Sequence, residues 1–170
     1  MKNQCQRKVL LIMVLWLSAP PFLALAIDPV IDRATLSGIR SVYVTVSGLS
    51  PKIQRDGLTA EEIQTDVKQK LGTAGIKILT RERFMNSRGA PWLRLHVSIT
   101  KMDGIHAYSA YISIECLQAV HLVRDPSVVT VVSTWSKTGL ATISHLGEVR
   151  TFIGKGLEEF LNAWSLAKRK

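Results

Sequence analysis

The stretch GLTAEEIQTDVKQKLGTAGIKIL, residues 57–79, predicts a helix that begins cleanly, ends at a glycine and leads into a strand. Thr59 and Glu62 form the pattern of a capping box, in which the hydroxyl and the carboxylate each satisfy a free backbone donor. The apolar residues of this helix fall on one stripe: Ile63, Val67, Leu71 and Ala74. We interpret the stretch as scaffold, because negative charge in the first turn complements the helix dipole.

Period-two alternation predicts strands on both sides of this helix. They span residues 40–47, 76–79, 92–100, about 107–123 and 128–136. From Glu148 the apolar residues recur at helical spacing, which predicts a final amphipathic helix. The order is therefore β-α-β-β-β-β-α. Two amphipathic helices cover one face of a sheet, so the sequence predicts an α+β fold. We expect a two-layer sandwich with a mainly antiparallel sheet of four to five strands and two helices packed on one face.

The first 26 residues have the pattern of a signal peptide. Three basic residues precede an almost wholly apolar run, and Ala24-Leu25-Ala26 matches a signal-peptidase site. We expect cleavage before Ile27 and export to the periplasm or the outside of the cell. The alternative is an uncleaved inner-membrane anchor formed by residues 9–27. Residues 27–39 then form a lead-in segment, and residues 40–170 form a single domain.

Removal of residues 1–26 takes away Lys2, Arg7 and Lys8 and no acidic residue, so the formal charge falls from +9 to +6. Such a charge serves solubility, with attraction to anionic lipid or polyanions as the alternative. Cys116 is then the one remaining cysteine, which excludes an internal disulfide. It lies on the apolar phase of its strand, as expected for a buried residue. An intermolecular disulfide would need an exposed thiol.

Familiar catalytic patterns are absent from the sequence: no G-x-S-x-G elbow, Walker loop, Rossmann glycine fingerprint or H-E-x-x-H occurs. The four histidines are scattered, and none is spaced with another as metal ligands are. We therefore expect no catalytic residue, no metal site and no cofactor.

The uncovered face of the predicted sheet is the first candidate site. Strand phases place aromatic and charged residues there: Tyr43, Trp92, Arg94, His96, Tyr111 and Glu115. Aromatic residues and arginine dominate the hot spots of protein interfaces, so this face suits a binding partner. The alternative is a solvated face with cross-strand pairs, such as Arg94 with Glu115 if the register allows it.

Two loops carry further candidates. The segment GIHAYSAY, residues 104–111, puts His106 and Tyr108 near a hairpin tip, where binding residues often lie. The segment RERFMNSRGAPW, residues 81–92, is a basic loop that could contact an acidic group. A small exported hydrolase with its site around His106 and Arg81 is the alternative function from a different class.

The chain resembles a family of small exported bacterial proteins that has no assigned activity. The residues that carry the resemblance are GLTAEEIQTDVKQKLGTAGIKIL, PWLRLHVSI, the long strand with Gln118, STWS at 133–136 and the closing helix. The layout is also similar to small periplasmic assembly modules with two helices on a sheet, although the chain lacks a lipobox cysteine. The resemblance implies an exported α+β fold and says nothing of mechanism.

We therefore expect a non-enzymatic exported binding or envelope-accessory module that uses the open sheet face. Its partner would be an envelope protein or component. We expect no nucleic-acid partner, because the sequence has no RNP-type motif and export removes the protein from most RNA. Contact with a membrane would come only from an uncleaved signal segment or weak surface attraction. An exposed strand edge leaves a homodimer open.

Overall fold

The computed structural model describes residues 30–87 and 89–168. The predicted signal peptide, its cleavage site and the alternative anchor at residues 9–27 lie outside these residues. Within the described part, none of the helices combines the length and the apolar character needed to cross a membrane.

Five strands form one mixed sheet in the order β2-β1-β3-β4-β5. They are β1 Ser41–Ser47, β2 Lys77–Ile78, β3 Trp92–Lys101, β4 Tyr108–Leu122 and β5 Asp125–Ile143. β1 is parallel to both β2 and β3, whereas β3, β4 and β5 are antiparallel to their neighbours. The α+β class is confirmed, and the longer pairings of the sheet are the antiparallel ones.

Five helices accompany the sheet: α1 Val30–Ala34, α2 Pro51–Arg55, α3 Ala60–Thr73, α4 Arg81–Asn86 and α5 Gly147–Ala167. α3 and α5 are the two predicted helices. The predicted order β-α-β-β-β-β-α was wrong in omitting α1, α2 and α4, each of only five or six residues. Such short helices show too few turns for a periodic apolar stripe, and only their caps mark them in the sequence.

The start of α3 has the predicted capping box. The Thr59 backbone N–H donates to Glu62 Oε2 at 3.1 Å, and the Glu62 N–H donates to Thr59 Oγ1 at 3.2 Å. The pKa of the Glu62 carboxyl is lowered first by the Thr59 backbone N–H and then by the Thr59 hydroxyl, which donates to Glu62 Oε2 at 2.9 Å. Gly75, with φ of 87°, ends the turn after the helix in a conformation that favours glycine.

The core lies between one face of the sheet and the helices α3 and α5. Strand residues of a single phase are buried there, among them Val42, Val44, Leu93, Leu95, Val97, Ile112 and Ile114. The helices contribute Ile63, Val67, Leu71, Ile153, Leu157, Phe160 and Trp164. One layer of helices on one face of a sheet is the two-layer arrangement that the sequence predicts.

The described part of the lead-in segment packs onto the domain. Leu36 is fully buried and Ile39 nearly so. The Trp164 indole N–H donates to the Ile39 carbonyl at 2.9 Å, which ties the last helix to the residues just before β1. Residues 30–39 therefore belong to the folded unit rather than preceding it.

Cys116 is completely buried on the helix side of β4. Burial raises the pKa of its thiol from the ordinary 9.0 to about 12, against a smaller opposing effect of the hydrogen bond with Thr134. An intermolecular disulfide at Cys116 would require the thiol to be exposed, and the folded domain hides it.

We predict that Cys116 in the folded protein resists alkylation. The thiolate is the reactive species, and a rise of about three units in pKa lowers its population roughly a thousand-fold at neutral pH. The measurement is the rate of iodoacetamide labelling by mass spectrometry, in a Cys5→Ser background. Labelling in urea is the control. Equal rates in folded and unfolded protein would contradict the prediction.

Candidate functional site

The sheet face opposite α3 and α5 is flanked by α4 at one corner and is otherwise uncovered by the described helices. We call it the open face. It carries side chains from three strands and one helix: Tyr43, Thr45, Ser47, Phe84, Trp92, Arg94, His96, Tyr111, Ser113 and Glu115. The register of the sheet aligns them in rows across β1, β3 and β4, because β1 pairs with β3 and β3 pairs with β4. Alternation along each strand, together with this register, thus brings all six predicted face residues onto one surface.

Aromatic rings occupy one end of the open face. Tyr43 and Phe84 stack with ring centroids 4.7 Å apart, and Phe84 lies 6.3 Å from the Trp92 ring. The Trp92 indole N–H donates to Thr45 Oγ1 at 2.7 Å. Offset stacking and this hydrogen bond hold the three rings in fixed positions.

An ion pair occupies the middle of the open face. Arg94 donates to Glu115 Oε2 from Nε at 2.9 Å and from Nη2 at 2.5 Å. The two residues lie directly opposite each other in the register, which is the condition on which the cross-strand pair depended. The guanidinium also lies 5.7 Å from the centre of the Trp92 ring. Because both side chains remain partly exposed, the pair adds little to stability, but it fixes where the charges lie.

His96 lies at the other end of the open face. Its Nδ1 is 3.3 Å from Ser47 Oγ, and its ring is 6.3 Å from that of Tyr111, a residue 41% exposed. Gly48 passes directly behind His96 with φ of 94°. A Cβ at Gly48 would lie 2.6 Å from the Val97 carbonyl oxygen and 2.7 Å from His96 Cε1. Glycine is therefore required for the backbone to approach His96 this closely.

Ser113 shares the His96 row and is 4% exposed. Among the described residues, its Oγ is the one buried side-chain oxygen or nitrogen without a hydrogen-bond partner. His96 and Ser47 of the same row contact each other, so this hydroxyl is a buried, unsatisfied group at the His96 end of the face.

The loop candidates do not come together. His106 is exposed in the turn between β3 and β4, whereas Tyr108 is half-buried against the helix-side core. Arg81 begins α4, near the Trp92 end of β3. A strand rises ~3.3 Å per residue, so the ends of the ten-residue β3 are roughly 30 Å apart. The structure therefore gives no shared site around His106 and Arg81.

An apolar groove of about 210 Å³ lies between β5 and α5, on the helix side of the sheet. Ile112, Ile114 and Phe152 line it, and the Lys137–Glu159 ion pair, at 2.7 Å, lies at its rim. No group of three His, Cys, Asp or Glu side chains in residues 30–87 and 89–168 is placed to hold a metal ion.

Sequence reasoning missed Phe84, because the segment that carries it was interpreted as a charged loop. The segment forms α4, and Phe84 completes the aromatic end of the open face. A usable signal was present: Thr80 is the N-cap, and its Oγ1 accepts from the Arg83 N–H at 3.2 Å. Threonine before a short run of helix-forming residues is a recognised start signal.

Comparison with known proteins yields likeness to solved structures alone. No family model and no curated protein matches the chain. The chain is similar to PelC from Paraburkholderia phytofirmans, solved as a dodecamer, at 18% identity and a TM-score of 0.45, over 75% of this chain and 87% of that one. A single-site variant of the same PelC dodecamer is 22% identical with a TM-score of 0.44, over 71% and 86%. At these values the likeness assigns neither a family nor a function.

We predict that Gly48→Ala destabilises the fold more than Gly57→Ala does. Both glycines have positive φ, so both substitutions share the backbone strain, but a Cβ at Gly57 meets nothing within 4 Å. The Gly48 Cβ collides with fixed backbone, and overpacking of this kind costs about 1–3 kcal/mol. The measurement is the free energy of unfolding in urea, with equal losses for the two variants contradicting the close approach to His96.

Proposed function

We propose that the protein is an exported, non-enzymatic binding module of the bacterial envelope, and that its partner contacts the open face. One observation carries the proposal. The rings of Tyr43, Phe84 and Trp92 and the neighbouring Arg94–Glu115 ion pair form a continuous group of side chains, held in place on the sheet surface. Tryptophan, tyrosine and arginine are the residues that most often dominate binding energy at protein interfaces.

Fixed side chains favour binding, because a partner then loses less conformational freedom on contact. Stacking and hydrogen bonds already restrict Tyr43, Trp92 and Arg94, and each keeps part of its surface exposed. The face extends over three adjacent strands. Such a broad surface suits a large partner, whereas small-molecule sites are usually concave.

Export supports an envelope partner. The first 26 residues carry the basic, apolar and small-residue pattern of a signal peptide, and the resemblance to exported bacterial proteins points the same way. Cleavage before Ile27 and delivery to the periplasm remain predictions of this proposal.

The test is capture of the partner from intact cells after crosslinking, with a tagged chain and mass spectrometry. The altered protein combines Tyr111→Ala with the swap Arg94→Glu and Glu115→Arg, which keeps an ion pair on the face but reverses its direction. We expect capture to fall roughly 30-fold, corresponding to the ~2 kcal/mol loss that defines a hot spot.

The matched control swaps the exposed pair Asp66 and Arg150, joined at 2.6 Å between α3 and α5 on the opposite side of the sheet. This control should capture the same partner as the unaltered chain. Thermal unfolding of each variant confirms that the fold is retained. Unchanged capture by the open-face variant would refute the assignment, and steep loss of all binding in high salt would favour a polyanion instead.

A further inference from the structure

β4 and β5 extend well beyond the rest of the sheet. β3 begins at Trp92, which pairs with Leu117, so the ribbon formed by residues 118–133 has no third strand beside it. We call this ribbon the arm. A two-stranded ribbon is marginally stable in water unless further strands or a helix cover it.

The root of the arm is anchored. Gln118 Nε2 donates to the Thr35 carbonyl at 3.0 Å and to Thr134 Oγ1 at 2.6 Å, and Thr134 Oγ1 donates to the Cys116 carbonyl at 3.2 Å. Beyond this anchor both faces of the arm carry exposed valines. Alternation along β5 puts Val128 and Val132 on one face and Val129 and Val131 on the other, and all four are exposed.

The outer edge of β5 lacks the usual protection against pairing. β5 is the last strand in the sheet order, so its outward backbone groups have no partner strand. Natural edges carry charges, prolines or bulges that block a second strand. Residues 127–136 contain neither a charge nor a proline, and the bulge opposite Cys116 lies at the end of this stretch.

The arrangement of β5 is self-complementary. Its pairing with β4 is regular from Val129 to Ser133 and shifts register on either side, so the regular segment is centred on Val131. The only charged residues of β5 are Asp125 and Lys137, each six positions from Val131. Antiparallel pairing centred on Val131 therefore brings Asp125 of one strand toward Lys137 of the other, which also pairs with Glu159 of its own chain.

We propose that the arm is a docking surface for a second copy of this chain, with the two β5 strands paired antiparallel about a twofold axis at Val131. Each arm then becomes half of a four-stranded sheet, which meets the requirement for further strands. Val131 lies opposite Val131 of the second copy, with Val129 of each copy on the same face. A twofold contact of this kind uses one surface twice and closes on itself.

The full chain is expressed and the processed protein purified for sedimentation velocity over about a hundredfold range of concentration. We expect a reversible monomer–dimer equilibrium. Val131→Lys places two like charges opposite each other at the axis and should raise the dissociation constant at least ~10-fold. Val123→Lys is the matched control, because Val123 is 98% exposed in the two-residue turn at the tip and lies far from the axis.

Val131→Cys tests the register directly. Directly opposite residues in an antiparallel pair have Cα atoms about 4.5–5.5 Å apart, which lies within the range of a disulfide. Mild oxidation should therefore join most Val131→Cys chains as dimers and leave Val123→Cys chains unjoined. Circular dichroism checks that both variants fold.

Several outcomes would overturn the proposal. A monomer throughout the concentration range, or an assembly of any size that Val131→Lys leaves intact, rules out the twofold contact at Val131. An equal rise in the dimer dissociation constant for Val123→Lys and Val131→Lys rules out a twofold axis at Val131. Failure of Val131→Cys to form a disulfide in a wild-type-like dimer rules out the register.

Discussion

Burial of Leu93, Leu95 and Val97 along β3 is the constraint on which the rest of the fold depends. β3 lies in the middle of the sheet between β1 and β4, and all three side chains are completely buried under the helices. Because side chains alternate along a strand, this phase forces Trp92, Arg94 and His96 onto the other face. A slip of one residue would exchange the two sets, at a cost that the apolar core makes prohibitive. The open face is thus a direct consequence of the core.

The same alternation explains how much of the molecule the sequence predicted. β3, α3 and α5 have long, regular patterns, and the structure has each of them where the period places it. The pairing of Arg94 with Glu115 followed from the hairpin that joins β3 to β4. These elements depend on local repeats and on turns between neighbouring strands, both of which are visible along the chain.

Other features depend on contacts between distant segments and could not be predicted. The parallel pairing of β1 with β3 spans a crossover of α2, α3, β2 and α4, and no local pattern specifies it. β5 was predicted over residues 128–136 with a continuation bent at Gly139, but it runs from 125 to 143, because pairing with β4 carries it through Lys137 and Gly139. The exposure of the arm likewise depends on where β3 stops. Phe84 joined the open face only because a six-residue helix turns it toward Tyr43.

The hydrogen bond from Trp164 to Ile39 joins residues 125 positions apart, near the two ends of the described chain. Phe160 and Trp164 fill the core from the final helix, while Leu36 and Ile39 fill it from the first segment. A chain that emerges N-terminus first, from a ribosome or a translocation channel, cannot close this core until its last turns have emerged. The domain therefore completes its folding only after the whole chain has been released.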